Sequence, residues 1–129
     1  MKHPIPIGAI GELTFTVEAE HTIAFEAVPP VLSTPSLIWF LEHAAVEALK
    51  TVLEAGEISL GGEINVQHLA PTLQGRPVNC TARLISAEGP MFLFQVEARE
   101  DGEVIARGSH RRAVVRASSF AKRLARKAG

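Results

Sequence analysis

The stretch TPSLIWFLEHAAVEALKTVL, residues 34–53, decides the fold that we predict for this chain. Its apolar residues recur at intervals of three and four, which is the spacing of one face of an α-helix. Thr34 is a good N-cap, Pro35 suits the first helical position, and Gly56 marks the end of the helix. The polar residues form one narrow stripe, so the helix is apolar over most of its circumference and we expect it to be buried.

Alternating patterns that are typical of β-strands lie on both sides of this helix. Before it, residues 11–18 form one strand, residues 21–26 a short continuation and residues 27–34 an irregular, proline-containing loop. After it, four strands are separated by turn signals, of which Asp101-Gly102 is the strongest. These four predicted strands cover residues 64–69, 78–84, 92–98 and 104–115, and a short basic helix covers residues 118–127.

One apolar helix followed by antiparallel strands is an α+β pattern. A curved antiparallel sheet wrapped around one long helix buries such a helix, and this arrangement is the hot-dog fold. The length of 129 residues fits one domain. We therefore predict a single hot-dog domain over residues 1–129, with its core in residues 10–116 and a basic C-terminal tail in residues 117–129.

The composition excludes several classes of protein. With 47% hydrophobic and 21% charged residues, the chain is neither mainly disordered nor collagen-like. The net charge of −1 gives no argument for binding nucleic acid or membranes. The one cysteine, Cys80, is in phase with apolar strand residues, which indicates a core thiol. We see no signal peptide and no membrane span, and we expect a cytoplasmic protein without nucleic-acid or membrane partners.

The charges are unevenly distributed along the chain. Eight of the thirteen basic residues follow Glu103, and no acidic residue does. A solvated tail is the plainer interpretation, and a cation cluster for a phosphorylated ligand is the alternative.

Two ionisable residues are candidates for chemistry. Glu42 lies on the helix outside the polar stripe, where a partly desolvated carboxylate is a better base or acid. The alternative is a glutamate at the helix edge that reaches water. His68 shares a strand face with Ile64 and Val66 near the end of its strand, although many such histidines only form hydrogen bonds in the core.

Three further positions are candidate binding elements. The Thr34 hydroxyl, besides capping the helix, lies where free N–H groups and partial positive charge attract an oxyanion. Gly61-Gly62 is either a bulge or a place where backbone N–H groups meet a carbonyl oxygen. Arg112, in phase with apolar residues of the last strand, either pairs with a carboxylate or meets a ligand. The five histidines lack ligand spacing, so we expect no metal.

Residues 34–42, TPSLIWFLE, resemble the helix entry of the fluoroacetyl-CoA thioesterase-like branch of the hot-dog acyl-CoA thioesterases. That family has a threonine, a glutamate eight residues later and a histidine twenty-six residues after the glutamate, and Thr34, Glu42 and His68 have this spacing. Residues 60–68 are similar to the family's histidine-bearing strand. The segment 108–114 is similar to the final-strand segment with an active-site arginine, which falls on Arg112.

The resemblance implies a homodimer that hydrolyses an acyl-CoA thioester to the free acid and CoA. It implies no cofactor, because coenzyme A is part of the substrate. Thr34, Glu42 and His68 would act together, with Glu42 as base or nucleophile and His68 orienting it. The acyl pocket would be lined by Gly61-Gly62 and Arg112.

The segment before the helix differs from the family's selective member, which carries a phenylalanine-bearing lid there. Residues 25–32 are short, rich in proline and contain one phenylalanine, so we expect a small or medium acyl group without selectivity for fluoroacetate. Eight helical residues rise about 12 Å. Thr34 and Glu42 of one chain are therefore too far apart to bond directly, and we expect a site shared by two subunits or, failing that, a loop that bends back.

Two other functions remain open at this point. A hot-dog acyl-CoA hydratase would use an Asp/His pair, but the single aspartate, Asp101, lies in a predicted turn. A non-catalytic acyl-CoA-binding protein would use Glu42 and His68 only to shape its pocket.

Overall fold

A computed structural model describes residues 1–129 and contains seven strands, two α-helices and one 3-10 turn. In chain order the elements are β1 (Ile10–Thr16), the 3-10 turn (Ala19–His21), β2 (Thr22–Phe25), β3 (Val28–Leu32), α1 (Thr34–Leu49), β4 (Glu57–His68), β5 (Pro77–Glu88), β6 (Met91–Glu100), β7 (Glu103–Arg116) and α2 (Ala117–Ala128). The α+β class that the sequence predicts is confirmed.

The main sheet has five antiparallel strands in the order β1-β5-β6-β7-β4. Helix α1 packs on one face of this sheet, and its apolar side chains form the core together with the inward-facing residues of β5, β6 and β7. Cys80 is fully buried there, as predicted, and burial raises the pKa of its thiol to about 12. Because a thiol with such a pKa stays protonated, Cys80 is a packing residue.

Strand β1 lies unusually close to α1. A Cβ on Gly11 would lie 2.0 Å from the carbonyl oxygen of Ala44 and 2.3 Å from the backbone nitrogen of Ala48. Since no side chain fits in that space, the glycine on the strand and the alanines on the helix let the two backbones meet. This contact sets the distance between α1 and the main sheet.

The helix begins one residue earlier than predicted. Ser33, and not Thr34, is the N-cap of α1, because Ser33 has an extended backbone and its hydroxyl accepts a hydrogen bond from the Ser36 N–H at 3.3 Å. Thr34 is the first helical residue and Pro35 the second. The hydroxyl of Thr34 is therefore free of the capping role.

The prediction of an irregular loop over residues 27–34 is wrong. Val28–Leu32 forms β3, which pairs with β2 in a separate two-stranded sheet, so residues 22–25 do not continue β1. The chain reverses at Ala27, whose φ of 64° is left-handed. Proline has a fixed φ that is compatible with an extended strand at a sheet edge, which is why Pro29 and Pro30 do not break β3.

Strands β5, β6 and β7 and helix α2 extend beyond the predicted bounds, whereas β1 ends at Thr16 and α1 ends at Leu49, well before Gly56, where we predicted the end of the helix. Strand β4 begins at Glu57, well before residue 64, and includes a bulge between Gly61 and Glu63 that the two glycines permit. The predicted basic helix is α2, which has no buried residue and is anchored by a hydrogen bond from the Ala117 N–H to the Gly56 carbonyl oxygen at 2.8 Å. Neither helix is long and apolar enough to cross a bilayer.

Candidate active site

The first group of candidate residues lies where α1 begins and β4 ends. The Thr34 Oγ1 atom is 2.8 Å from His68 Nδ1, so the hydroxyl that does not cap the helix bonds the imidazole. The other ring nitrogen, Nε2, is buried and has no hydrogen-bond partner within the chain. Burial lowers the pKa of His68, which favours the neutral ring. This ring is held in place at one nitrogen and free to accept or donate a proton at the other.

The second group surrounds Gly61 of β4, where this strand approaches Glu42 of α1. A Cβ on Gly61 would lie 3.1 Å from Glu42 Oε1, 3.4 Å from His110 Cε1 and 3.5 Å from Arg112 Nη1. These three side chains therefore surround Gly61 so closely that an added methyl group would touch all of them and press on the Glu42 carboxylate. Glu42 is half-buried, as the helical pattern predicts.

Arg112 is held rigidly in this second group. Its side chain is buried and donates from Nε to Ser59 Oγ and from Nη2 to the Ser59 carbonyl oxygen, each at 3.0 Å. A third contact joins Arg112 Nη1 to His110 Nε2 at 3.1 Å. Burial lowers the pKa of Arg112, while the charge of Glu42 opposes this effect. An arginine remains protonated nonetheless, so a fixed positive charge faces Glu42.

The tautomer of His110 follows from its two contacts. Its Nδ1 lies 2.8 Å from the carbonyl oxygen of Glu63, which can only accept, so Nδ1 carries the proton. Its Nε2 therefore accepts from Arg112. Burial lowers the pKa of His110, and the positive charge of Arg112 lowers it further. His110 is thus a neutral support that orients Arg112 beside Glu42.

The two groups are far apart within one chain. Gly61 and His68 are separated by seven positions of β4, which corresponds to roughly 23 Å of strand. Glu42 forms no hydrogen bond, and the imidazole beside it belongs to His110. The structure thus brings Thr34 to His68, and Glu42 to Gly61 and Arg112, but does not bring the two sets together. Gly62 lies at the exposed bulge, on the rim of the second group.

Sequence reasoning missed two members of this site, Ser59 and His110. The alternation of β7 did place His110 in phase with Arg112, but its importance depends on the pairing of β4 with β7, which puts Gly61 opposite Arg112 and Ile64 opposite His110. No feature of the sequence predicts Ser59, which lies in a part of β4 that we did not predict. The structure contains no group of three or more His, Cys, Asp or Glu side chains that could hold a metal ion.

The fold and the site define this protein as a hot-dog thioesterase. A hypothetical protein of Thermus thermophilus described as a thioesterase superfamily member is 29% identical, with a TM-score of 0.89 over 97% of this chain and 94% of that chain. A crystal structure of a point mutant of the fluoroacetyl-CoA-specific thioesterase FlK is 32% identical, with a TM-score of 0.88 over 98% of this chain and 99% of that chain.

Sequence comparison narrows the class to one family. The family model described as FlK, fluoroacetyl-CoA-specific thioesterase, matches residues 17–118. The fluoroacetyl-CoA thioesterase of Streptantibioticus cattleyicolor is 38% identical over 96 residues, which cover 74% of this chain and 69% of that protein. The chain belongs to the FlK family of thioesterases, and this confirms both the resemblance and the prediction of an enzyme that hydrolyses acyl-CoA thioesters.

Proposed function

We propose that this protein hydrolyses CoA thioesters of small or medium acyl groups in a site built from two subunits. Glu42, Gly61 and Arg112 of one subunit, with Gly62 at the rim, meet Thr34 and His68 of its partner. One observation carries this proposal. The buried Nε2 atom of His68, on β4, has no hydrogen-bond partner within the chain, and the Glu42 carboxylate, which reaches Gly61 of the same strand from α1, forms no hydrogen bond either.

The position of β4 supports a homodimer. This strand of twelve residues forms one edge of the main sheet, so one row of its backbone groups has no strand beside it. Two copies of β4 can pair antiparallel about a two-fold axis at Asn65. Residues three positions to either side of Asn65 then lie opposite one another, so that His68 of one subunit faces the Gly61-Gly62 bulge of the other.

The direction of the side chains agrees with this register. Ile64, Val66 and His68 are the half-buried residues in this part of β4, whereas Asn65 and Gln67 are exposed. The bulge shifts the alternation, so Gly61 also points inward, toward Glu42. The paired strands would therefore bring the inward-facing Gly61 and His68 together on the helix side of a continuous sheet, where Glu42 has no other partner.

The chemistry of a thioester suits these groups. The carbonyl carbon is electrophilic and the thiolate leaves readily, so the protein must supply an oxygen nucleophile and stabilise the developing oxyanion. Glu42 can take a proton from water, whose oxygen attacks the carbonyl carbon; the C–S bond then breaks and the CoA sulfur takes up the proton. Alternatively, Glu42 itself attacks, releases the thiolate and forms an acyl-glutamate anhydride that water hydrolyses.

The other site residues support either route. His68 Nε2 would hold or transfer the proton between Glu42 and the leaving sulfur, while Thr34 fixes the ring through Nδ1. Arg112 would hold positive charge beside the carbonyl oxygen. Gly61 would leave room for the acyl group, and the close approach of Glu42, His110 and Arg112 around it favours a small one.

The segment before α1 argues against selectivity for fluoroacetate. It forms the β2–β3 hairpin, whose one phenylalanine, Phe25, is largely exposed. Solved structures of FlK include mutant complexes with fluoroacetate and CoA and with acetyl-CoA. We propose acetyl-CoA and somewhat longer acyl-CoA thioesters as substrates of this protein.

We also propose that the enzyme works in the cytoplasm, requires no cofactor and binds neither nucleic acid nor membranes. A hydratase is the weaker alternative, since Asp101 lies in the exposed β6–β7 turn. Release of free thiol from acetyl-, fluoroacetyl-, butyryl- and octanoyl-CoA tests the proposal. A thioesterase releases thiol, a hydratase changes the absorbance of an enoyl-CoA without releasing thiol, and a binding protein does neither.

A further inference from the structure

The two parts of the chain carry opposite charge. Residues 1–103 contain five basic and fourteen acidic residues, a net charge of −9, whereas residues 104–129 contain eight basic and no acidic residues, a net charge of +8. Four of these eight basic residues lie on α2. The other four are on β7, where Arg112 is part of the site and three are exposed, namely Arg107, Arg111 and Arg116. The proposed reaction centre uses none of the four on α2.

The four cations of α2 form one stripe. At 100° per residue, Lys122, Arg123, Arg126 and Lys127 fall within an arc of about 140°, and alanines, Phe120 and Leu124 occupy the opposite side. All four are exposed, and none forms an ion pair with an acidic side chain. A stripe of this kind has its full charge available for an anionic ligand.

The position of α2 relates this stripe to the site. Helix α2 begins directly after Arg116, four strand residues from Arg112, a distance of about 13 Å. Its cations begin six helical residues later, about 9 Å further along the axis. The pantetheine arm of CoA has about as many chain atoms as four to five extended residues and spans roughly 15 Å between its sulfur and its phosphates. The first cation of the stripe is thus at most about 22 Å from Arg112, a span that the pantetheine arm and a long lysine or arginine side chain cover together.

Building on the proposed function, we propose that the stripe formed by Lys122, Arg123, Arg126 and Lys127 binds the phosphate groups of the CoA nucleotide. Arginine and lysine are suited to phosphate oxygens, and these four have no competing carboxylate on their own helix. A small acyl group offers little surface for binding, so the affinity for the substrate must come from the distant nucleotide end. The stripe holds the substrate while the acyl group reacts.

An anionic membrane surface is the competing ligand for a basic amphipathic helix. Its apolar side would have to enter the lipid, but that side consists mainly of alanine, Phe120 is half-buried, and Leu124 is its one exposed large apolar residue. Little apolar surface is left to insert. The structure therefore favours a soluble phosphate ligand.

The test compares a substrate with and without the nucleotide. In the variant Lys122→Gln, Arg123→Gln, Arg126→Gln, Lys127→Gln, glutamine keeps the helix propensity but removes four charges. We expect the KM for acetyl-CoA to rise at least about tenfold, with kcat within about twofold. The KM for acetyl-pantetheine, which lacks the phosphates, should not change. Lys50→Gln with Arg83→Gln removes two exposed cations from other parts of the protein and should leave both KM values unchanged.

Direct binding separates this proposal from the proposed function. The dissociation constant of free CoA, measured by calorimetry, should rise about tenfold in the fourfold variant, whether or not turnover occurs. If the wild-type protein releases no thiol from any acyl-CoA, the proposed function fails. The CoA affinities measured by calorimetry then decide by themselves whether the stripe binds the CoA phosphates. If the fourfold variant keeps the wild-type KM for acetyl-CoA and the wild-type affinity for CoA, the stripe does not bind the CoA phosphates. Charge-dependent sedimentation with phosphatidylglycerol vesicles, together with those unchanged values, would assign the stripe to membranes instead.

Discussion

Glu42 and Arg112 face each other across Gly61 without forming an ion pair. A Cβ at position 61 would lie 3.1 Å from Glu42 Oε1 and 3.5 Å from Arg112 Nη1, and Arg112 uses its nitrogens to bind Ser59 and His110 instead. A direct salt bridge would occupy the carboxylate. The arrangement keeps Glu42 available for chemistry while a fixed positive charge stays beside it.

The space at Gly61 predicts a strong effect from a single methyl group. Gly61→Ala places that methyl against the Glu42 carboxylate, and we expect kcat to fall about tenfold because the carboxylate must shift by a few tenths of an ångström out of its alignment. Gly62→Ala, at the rim of the same site, should cost less, since its Cβ would lie 3.8 Å from the nearest atom of its own chain. Thiol release measures both variants. Equal activity of the two would contradict the role of this space.

The contact between Thr34 and His68 predicts a difference between two conservative replacements. Thr34→Val loses the 2.8 Å hydrogen bond and should lower kcat/KM about tenfold, the effect of losing about 1.4 kcal/mol. Thr34→Ser keeps a hydroxyl and should stay close to wild type. Neither should change the unfolding temperature much, because Ser33 caps the helix. Ser33→Ala should do the reverse, costing about 1 kcal/mol of stability with little effect on turnover.

The buried His110 predicts that the protein becomes less stable in mild acid. Its pKa in the folded state lies below the ordinary value of 6.5, so the unfolded chain binds more protons as the pH falls through that value. The free energy of unfolding should therefore decrease as the pH falls below about 6.5. Urea titrations between pH 7.5 and pH 5 measure the slope. In His110→Gln the slope should be shallower, and an identical slope would exclude His110 as its source.

The proposed register predicts a cross-link at the two-fold axis. In Asn65→Cys the two sulfur atoms would lie opposite each other on the exposed face of paired β4 strands, so mild oxidation should form a disulfide-linked dimer. In Gln67→Cys the two residues would be offset along the strands by about 13 Å and should not form one. Buried Cys80 gives little background. Non-reducing gel electrophoresis distinguishes the two, and efficient linking of Gln67→Cys alone would refute the register.

The elements with regular periodicity could be predicted from the sequence. Helix α1 and strands β5, β6 and β7 follow their apolar repeats, because burial against a single core imposes those repeats. Strand β3 was missed because Pro29 and Pro30 are usually strand breakers, and here they lie in a two-stranded sheet with free edges. Ser33, Thr34 and Pro35 are each compatible with a cap or a first turn, so composition alone could not select Ser33.

Several residues of the candidate site could be predicted, but Ser59, the role of His110 and the grouping of the residues could not. Glu42 and Arg112 stand out as charged residues in apolar surroundings, which a pattern can reveal. That His110 supports Arg112 depends on the register between β4 and β7, which is a non-local property of the sheet. The separation of Glu42 from His68 could be predicted in part, because the rise of the helix already places Glu42 far from Thr34, the residue that bonds His68.

The central claim is that Glu42 of one subunit acts with His68 of its partner. Glu42→Gln and His68→Asn should each fold normally and lose most turnover. When the two inactive proteins are unfolded, mixed in equal amounts and refolded, half of the dimers should be mixed, with one of their two sites intact. Thiol release should then recover to about a quarter of the wild-type rate. If the mixture stays as inactive as its components while mixed dimers demonstrably form, the shared site is wrong.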